Sequence, residues 1–354
     1  MAIERVQRPI WDAVLAAAWG ARNAAAKERF RTEIRGSALT PHFYQTADGW
    51  RAPLWHLPAR PGSTGEPVIL STGIALNHRT LDLHQDRSLV RHLHAEGFDV
   101  FVLNHRGDEC SEPPHDHAAF DFDDIVAHDV PAAIAEVKTI SGAERVHWIG
   151  HGLGGQLLVA HLANDGDRDI ASAVNICSAA TFQPMKATAR RIAHVAQLMP
   201  KHWRIPIRKI QDILTAASRP QDLVVLSRRI EGPMMRSLMI EGTQDLGIGL
   251  VQQMAKWTEV GHLCNRDNRF DYTAGLHGRK VHLLAIAAPD DPMCPLPAAK
   301  AAIDQLAEGH GEWWPLEAGW GHLDPIAGAD APRVIFPKVS SWLDIHRNRC
   351  WARP

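Results

Sequence analysis

Residues 150–155 have the sequence GHGLGG and follow directly on a short, largely apolar run, residues 146–149. A glycine-rich turn between a buried strand and a helix is typical of the G-x-S-x-G corner, which holds one side chain at strained backbone angles beside the helix N-terminus. That side chain is ordinarily a nucleophilic serine, but this chain has Gly152 in its place. The segment therefore predicts an α/β fold with a sharp strand-to-helix corner whose central residue has no side chain to attack with.

The composition fits a globular protein with one large α/β domain and an insertion, or with two domains. The chain has 354 residues, of which 45% are hydrophobic and 22% are charged. Its 38 basic and 40 acidic side chains nearly cancel, so no excess charge attracts a polyanion. We therefore expect neither a nucleic acid nor an anionic membrane surface as a partner.

The cysteines and the N-terminal segment both indicate a cytoplasmic protein. The five cysteines are odd in number, scattered and without C-x-x-C spacing, which favours a reducing compartment: Cys110, Cys177, Cys264, Cys294 and Cys350. The alanine-rich run 11–26 is interrupted by Asp12, Arg22 and Asn23, so it is too broken for a signal peptide and too short for a membrane span. We predict a helix there that packs on the domain, and no integral membrane segment.

Short apolar runs alternate with segments of helical periodicity along most of the chain. Residues 42–45 and 52–57 flank Asp48-Gly49, which predicts a β-hairpin. The further predicted strands are residues 66–71, 98–103, 145–150, 171–177, 281–287 and 312–315. The predicted helices are residues 87–96, 122–139, 152–162, 297–307 and 331–345. This alternation predicts a mainly parallel central sheet with helices on both faces.

The alternation stops at residues 181–275, which show helical periodicity and no clear strands. Six of the eight methionines lie there: Met185, Met199, Met234, Met235, Met239 and Met254. Flexible thioethers suit a pocket wall that adapts to apolar chains, although each of them equally fits the insertion's own core. We predict an N-terminal helical segment (1–40), a sheet core (41–180 and 276–354) and a mostly helical lid (181–275) above the carboxyl ends of the strands.

Several motifs resemble those of the α/β-hydrolase superfamily, specifically its acid-lipase and polyhydroxyalkanoate-synthase-like branches. Residues 97–107, GFDVFVLNHRG, resemble the acid-lipase strand that ends in Asn-x-Arg-Gly. Residues 120–124 and 128–132 resemble the helix before the corner strand in those lipases. Residues 81–83 and 88–90 look more like the polymer synthases. The resemblance implies the α/β-hydrolase fold.

The resemblance extends over residues 43–177 and 281–343, and it implies a catalytic acid and a histidine. The acid of this family lies after a late strand in a D-x-x-x-P setting, which Asp291 fits, with Asp290 as the neighbouring alternative. The histidine lies in a Gly-His loop before the last helix, which His322 fits. A carboxylate bonded to an imidazole fixes its tautomer and stabilises the imidazolium.

The same resemblance implies an oxyanion hole made of two backbone N–H groups. The N–H of Leu153, directly after Gly152, is the first candidate. Residues 72–74, TGI, resemble the His-Gly-Leu of acid lipases, which makes the N–H of Ile74 the second. Such backbone donors remain when the nucleophile is lost, so a carbonyl or carboxylate oxygen is still expected to bind there.

Other nucleophiles and a metal are weaker candidates. Five hydroxyls and thiols lie near the predicted site, but we interpret each as structural because none has the helix-dipole placement of the corner: Ser71, Thr72, Cys110, Ser111 and Cys294. The residues His115, Asp116, His117 and His128 match no strong ligand spacing. We therefore expect no metal and no cofactor.

The leading hypothesis is an enzyme acting on a small hydrophobic acyl ester or thioester, or carrying out a lyase-type step, with His322 and Asp291 as general base on water or substrate. One alternative is a non-catalytic protein that binds an acyl ligand or a protein partner through the lid. Another is an engineered chain in which glycine replaces the nucleophile of a lipase, esterase or polymer-synthase-like enzyme. The sequence leaves the acyl-chain length and the formation of homo-oligomers open.

Overall fold

The computed structural model describes residues 38–116, 118–183, 196–207, 227–347 and 349–351. The predicted N-terminal helix, within residues 1–37, lies outside the described residues, as do residues 184–195 and 208–226 of the insertion. Met185 is among the latter.

The main sheet has eight strands in the spatial order β1-β2-β4-β3-β5-β6-β9-β10. The strands of this sheet are β1 (Thr40–Gln45), β2 (Arg51–Leu57), β3 (Pro67–Ser71), β4 (Asp99–Leu103), β5 (Val146–His151), β6 (Ile170–Ile176), β9 (Leu283–Ala287) and β10 (Gly311–Pro315). Strand β2 pairs antiparallel with both β1 and β4. The remaining neighbours in this spatial order, from β4 through β3, β5, β6 and β9 to β10, pair parallel. The predicted hairpin and mainly parallel sheet are confirmed.

Alternate side chains of the central strands enter two different cores. In β4, Val100 and Val102 belong to one buried cluster, and Phe101 and Leu103 belong to the other. A strand whose successive side chains point to opposite faces needs apolar residues throughout when both faces are covered. This is why the parallel strands could be found in the sequence as continuous apolar runs.

Helices cover both faces of the sheet. In chain order they are α1 (Leu89–Ala95), α2 (Val130–Ser141), α3 (Leu153–Ala163), α4 (Gly232–Glu241), α5 (Ile248–Val260), α6 (Leu296–Lys300), α7 (Asp324–Ala327) and α8 (Ala331–Ile345). Helices α1 and α8 contribute to one core, and α2 and α3 to the other. The predicted helix 122–139 begins with the helical turn Phe122–Asp124 and one turn of π-helix, Ile125–Asp129, before it continues as α2.

The insertion between β6 and β9 contains α4, α5 and a small ribbon. The ribbon joins β7 (Arg204–Ile205) to β8 (Leu246–Gly247) in antiparallel pairing. The expectation of no strands in this region is therefore wrong on this point, because two-residue strands are too short to produce a periodic signal. Met235 and Met239 of α4 are buried in a core cluster that also includes residues of the sheet, so these two methionines fill the core.

No helix in the described part of the chain combines the length and the hydropathy that crossing a bilayer requires.

Candidate functional site

The strand-to-helix corner forms where the sequence places it, with Gly152 between β5 and α3. Gly152 has φ 51° and ψ −113°, a conformation that L-residues other than glycine rarely adopt. Its N–H donates to the carbonyl of Ile176 at 3.0 Å, and its carbonyl accepts from the Ser178 hydroxyl at 2.9 Å. Both contacts come from the end of β6, so the neighbouring strand holds the corner in place.

Helix α3 starts so close to β3 that a side chain at its second position has no room. A Cβ atom at Gly154 would lie 2.1 Å from the carbonyl oxygen of Ser71. The Gly154 N–H donates to the Thr72 carbonyl at 3.0 Å. This close approach brings the helix N-terminus beside the loop that follows β3, as an anion-binding corner requires.

His322 and Asp291 form a buried pair at the same edge of the sheet. The Nδ1 atom of His322 lies 2.7 Å from Oδ2 of Asp291. The other carboxylate oxygen of Asp291 accepts from the backbone N–H groups of Met293 at 2.7 Å and Cys294 at 3.1 Å. Burial raises the pKa of Asp291, but these hydrogen bonds outweigh it and hold the pKa below its ordinary value. The carboxylate is therefore charged at neutral pH.

The neighbouring carboxylate, Asp290, has different partners. It accepts from the N–H of Gly319 at 2.9 Å and lies 3.3 Å from Nε of Arg228. The alternative that the sequence left open is therefore decided by geometry in favour of Asp291 as the partner of His322.

The imidazole of His322 faces the corner. A Cβ atom built on Gly152 would lie 3.4 Å from Nε2 of His322 and 3.4 Å from Cα of Gly73. A serine at this position would therefore have its hydroxyl between the imidazole and the loop after β3. In this chain the same space borders a helix N-terminus, an imidazole nitrogen and a backbone segment, without a side chain of residue 152.

The two predicted oxyanion donors follow, in sequence, the two glycines that border this space, Gly152 and Gly73. Leu153 is the first residue of α3, and Ile74 follows Gly73. Among the described residues, neither N–H donates a hydrogen bond to another protein group. Ala75, the next residue, has φ 56°, an unusual conformation for a residue with a side chain. Buried N–H groups are ordinarily paired, so the N–H of the buried Leu153 is suited to an oxygen of a ligand. Ile74 is partly buried, and its N–H is free for the same role.

Three residues close to His322 or to its loop were not assigned a role from the sequence. His151 donates from Nε2 to the His322 carbonyl at 3.0 Å. Burial and the nearby His322 lower the pKa of His151 to about 3, so its ring is neutral. Asp324 accepts from the N–H of Gly321 at 2.6 Å. Cys177, at the end of β6, places its sulfur within 4.8 Å of the ligand atoms of Asp291 and His322.

A usable signal existed for part of this set. Cys177 is the last residue of a predicted parallel strand and Ser178 directly follows it, at the edge where ligands bind. The contact of His151 gave no such signal, because a histidine beside the corner is equally consistent with packing.

The alternative nucleophiles lie in structural surroundings. The Ser111 hydroxyl donates to the Asp108 carbonyl at 2.6 Å, and the Thr72 hydroxyl donates to the Leu76 carbonyl at 3.0 Å. Burial raises the pKa of the Cys294 thiol well above its ordinary value, which disfavours the thiolate. Ser71 and Cys110 are buried.

Within the described ranges, His115, Asp116 and His128 form no group with metal-ligand spacing, and His117 lies outside those ranges.

The corner's tolerance of a side chain can be measured by three alanine substitutions. Gly152→Ala should lower the free energy of unfolding by about 1–3 kcal/mol, because only the backbone angle is unfavourable. Gly142→Ala is the matched control: Gly142 has φ 74° and open space around its Cβ position, and we expect a loss of about 1–2 kcal/mol.

Gly154→Ala should cost about 3 kcal/mol or more, because the new Cβ overlaps the Ser71 carbonyl. Urea-induced unfolding followed by circular dichroism gives the three values. A loss at Gly152 as large as that at Gly154 would contradict the open space described beside His322.

Comparison with known proteins places these features in context. The α/β hydrolase fold family matches the chain over residues 66–326. That range contains the corner, Asp291 and His322.

Two curated proteins resemble the chain in sequence. Lipase 3 of Drosophila melanogaster is 23% identical over 359 residues, which cover 87% of this chain and 90% of that protein. The poly(3-hydroxyalkanoate) polymerase subunit PhaC of Cupriavidus necator is 29% identical over 109 residues. This second match covers 30% of the chain and only 18% of the polymerase.

Solved structures share the fold at low sequence identity. The crystal structure of a monoacylglycerol lipase from Paleococcus ferrophilus superposes with a TM-score of 0.58 at 15% identity, over 87% of this chain and 99% of that one. At such low identity the likeness concerns the fold alone.

Proposed function

Because the chain belongs to the α/β-hydrolase fold family, we propose that it hydrolyses a hydrophobic acyl ester or thioester by direct attack of water. The observation that carries the proposal is the geometry at Gly152, where a side chain would stand 3.4 Å from Nε2 of His322. A water molecule in that space is within reach of the imidazole and next to the two backbone donors. The superfamily's attacking hydroxyl is thereby replaced by the oxygen of water.

The chemistry follows from the pairing of His322 with Asp291. The imidazole Nε2 takes a proton from water while the water oxygen bonds to the acyl carbon. The negative charge that develops on the carbonyl oxygen is stabilised by the N–H groups of Ile74 and Leu153. The imidazolium, stabilised by the charged Asp291, then returns the proton to the leaving oxygen or sulfur, so that the products are a carboxylic acid and an alcohol or thiol.

The insertion, residues 181–275, is proposed as a lid over this site. Its described part contacts the loop after β3: Gln244 donates to the Ala75 carbonyl and Asn77 donates to the Gly242 carbonyl, both at 2.9 Å. It also contacts the loop of His322, because Asp324 accepts from the backbone N–H of Arg228 at 2.9 Å. The insertion therefore touches both sides of the proposed site.

A hydrophobic acyl group is the proposed substrate class. The support comes from the relatives that are named as lipases and from the apolar side chains that the insertion presents at its surface. Leu198 and Trp203 are 78% and 50% exposed. The free energy of an acyl chain in water falls when such an apolar surface covers it.

A second candidate function is favoured by Gly152 itself: binding of an acyl ligand without turnover. Removal of the nucleophile from a serine hydrolase costs about a million-fold in turnover and leaves roughly a thousand-fold over water. A protein that keeps the binding elements and loses the nucleophile is suited to hold a ligand. The two candidates differ in whether any turnover depends on His322.

The His322→Ala variant tests that dependence. With apolar acyl esters and acyl thioesters, we expect kcat to fall by about 10²–10⁴-fold, because no general base remains to take the proton from water. His277→Ala, at an exposed position, is the control and should retain the parent rate. Turnover that is unchanged in His322→Ala on every accepted substrate would remove the basis of the proposal.

Restoring a nucleophile tests whether the site is assembled. Gly152→Ser and Gly152→Cys should react at residue 152 with a fluorophosphonate or an acylating probe, because His322 lies within reach of the new hydroxyl or thiol. The parent should not react there, and neither should the double variant Gly152→Ser/His322→Ala. Peptide mass spectrometry locates the label. Failure of both single variants to react would mean that the imidazole does not serve position 152, and would favour the binding function.

A further inference from the structure

A second group of chemistry-bearing side chains lies away from the corner. Glu66, His147 and Cys350 are all fully buried, and their ligand atoms lie within 4.8 Å of one another. Glu66 directly precedes β3, and His147 is the second residue of β5, so the group lies at the amino ends of the strands. The corner lies at the carboxyl ends. The two sites are therefore on opposite edges of the sheet.

The imidazole of His147 is oriented as a metal ligand would be. Its Nδ1 atom is 2.8 Å from the Ser172 hydroxyl. Its Nε2 atom has no hydrogen-bond partner among the residues that the structure describes, although it is buried, and it lies 3.6 Å from Oε2 of Glu66. In metal sites the non-ligating imidazole nitrogen commonly bonds to a polar group that fixes the ring.

The third side chain comes from the segment that follows α8. The backbone carbonyl of Cys350 accepts from Glu144 at 2.8 Å and from Arg145 at 3.1 Å, which fixes the position of this segment beside β5. Burial and the nearby Glu66 raise the pKa of the Cys350 thiol far above its ordinary value. Without a cation the thiol is therefore neutral.

We propose that Glu66, His147 and Cys350 bind a divalent transition-metal ion, with zinc as the best match. Carboxylate oxygen, imidazole nitrogen and thiolate sulfur are all ligands of zinc in proteins. A tetrahedral zinc ion separates a nitrogen from an oxygen ligand by about 3.3 Å and either of them from sulfur by about 3.6 Å. The observed separation of 3.6 Å between the Glu66 and His147 atoms is close to this.

Charge balance agrees with a divalent ion. One carboxylate, one thiolate and one neutral imidazole together neutralise a 2+ charge, which is what a fully buried site requires. Arg145 lies near Cys350, and a neutral metal complex adds no repulsion to its charge. Because the ligands come from the residue before β3, from β5 and from the segment after α8, the ion would tie that segment to the sheet.

Among the residues that the structure describes, one other group of this kind is formed by Cys177, Asp291 and His322. In that group both carboxylate oxygens of Asp291 already accept hydrogen bonds, one from His322 and the other from the backbone N–H groups of Met293 and Cys294. The first group is therefore the better candidate, and the second provides the matched control. The proposal departs from the sequence-based expectation of no metal, since its three ligands are spread over the chain and have no common motif.

The test is a cobalt and zinc titration of the full chain after removal of metals with a chelator. Co²⁺ bound to a thiolate gives a sulfur-to-metal charge-transfer absorption, so the spectrum reports directly on cysteine ligation. We expect one Co²⁺ per chain with this absorption in the parent and in Cys177→Ser, and displacement of Co²⁺ by Zn²⁺. Cys350→Ser should lose the absorption, and Zn²⁺ affinity should fall more than about 100-fold.

Glu66→Gln keeps the shape of the side chain and should weaken Zn²⁺ binding at least about tenfold. If neither Cys350→Ser nor Glu66→Gln folds, the parent and Cys177→Ser decide the question by themselves. The absence of a charge-transfer absorption in the parent would overturn the proposal. So would its loss in Cys177→Ser with retention in Cys350→Ser, because the ion would then be at the His322 pair.

Discussion

The close packing of helix α3 on strand β3 is the constraint on which the rest of the structure depends. Gly154 approaches the Ser71 carbonyl so closely that a methyl group does not fit. The turn at Gly152, with φ 51°, leads directly into this helix. Glycines therefore do two different things in one segment: Gly154 permits the approach, and Gly152 permits the turn.

The pairing of Asp291 with His322 at the corner depends on this frame. Asp291 keeps its charge in a buried position because one of its oxygens faces His322 and the other accepts from two backbone N–H groups. His151, next to the turn, bonds to the backbone of His322, so a displacement of the corner would also displace the imidazole. The absence of a side chain at residue 152 leaves this arrangement intact, since none of these bonds involves a nucleophile.

Much of the architecture could be predicted from the sequence, because strands covered on both faces must be apolar throughout and glycine-rich corners have few alternatives. The order of corner, acid and histidine along the chain likewise predicted Gly152, Asp291 and His322 as site residues, and the structure brings these three residues together. The sequence favoured Asp291 and left Asp290 as the neighbouring alternative, since adjacent residues in a loop face different neighbours. The β7–β8 ribbon was missed because its two-residue strands are too short to produce a periodic signal. The group around His147 was missed because it joins residues distant in sequence.

The central claim is that water, and not a protein side chain, attacks the acyl carbon beside His322. Intact-protein mass spectrometry during steady-state hydrolysis of an apolar acyl ester or thioester tests this claim most directly. The account predicts that the acid product accumulates while the protein keeps its unmodified mass at every time point. An acyl adduct on any side chain that forms and decays at the rate of turnover would contradict it.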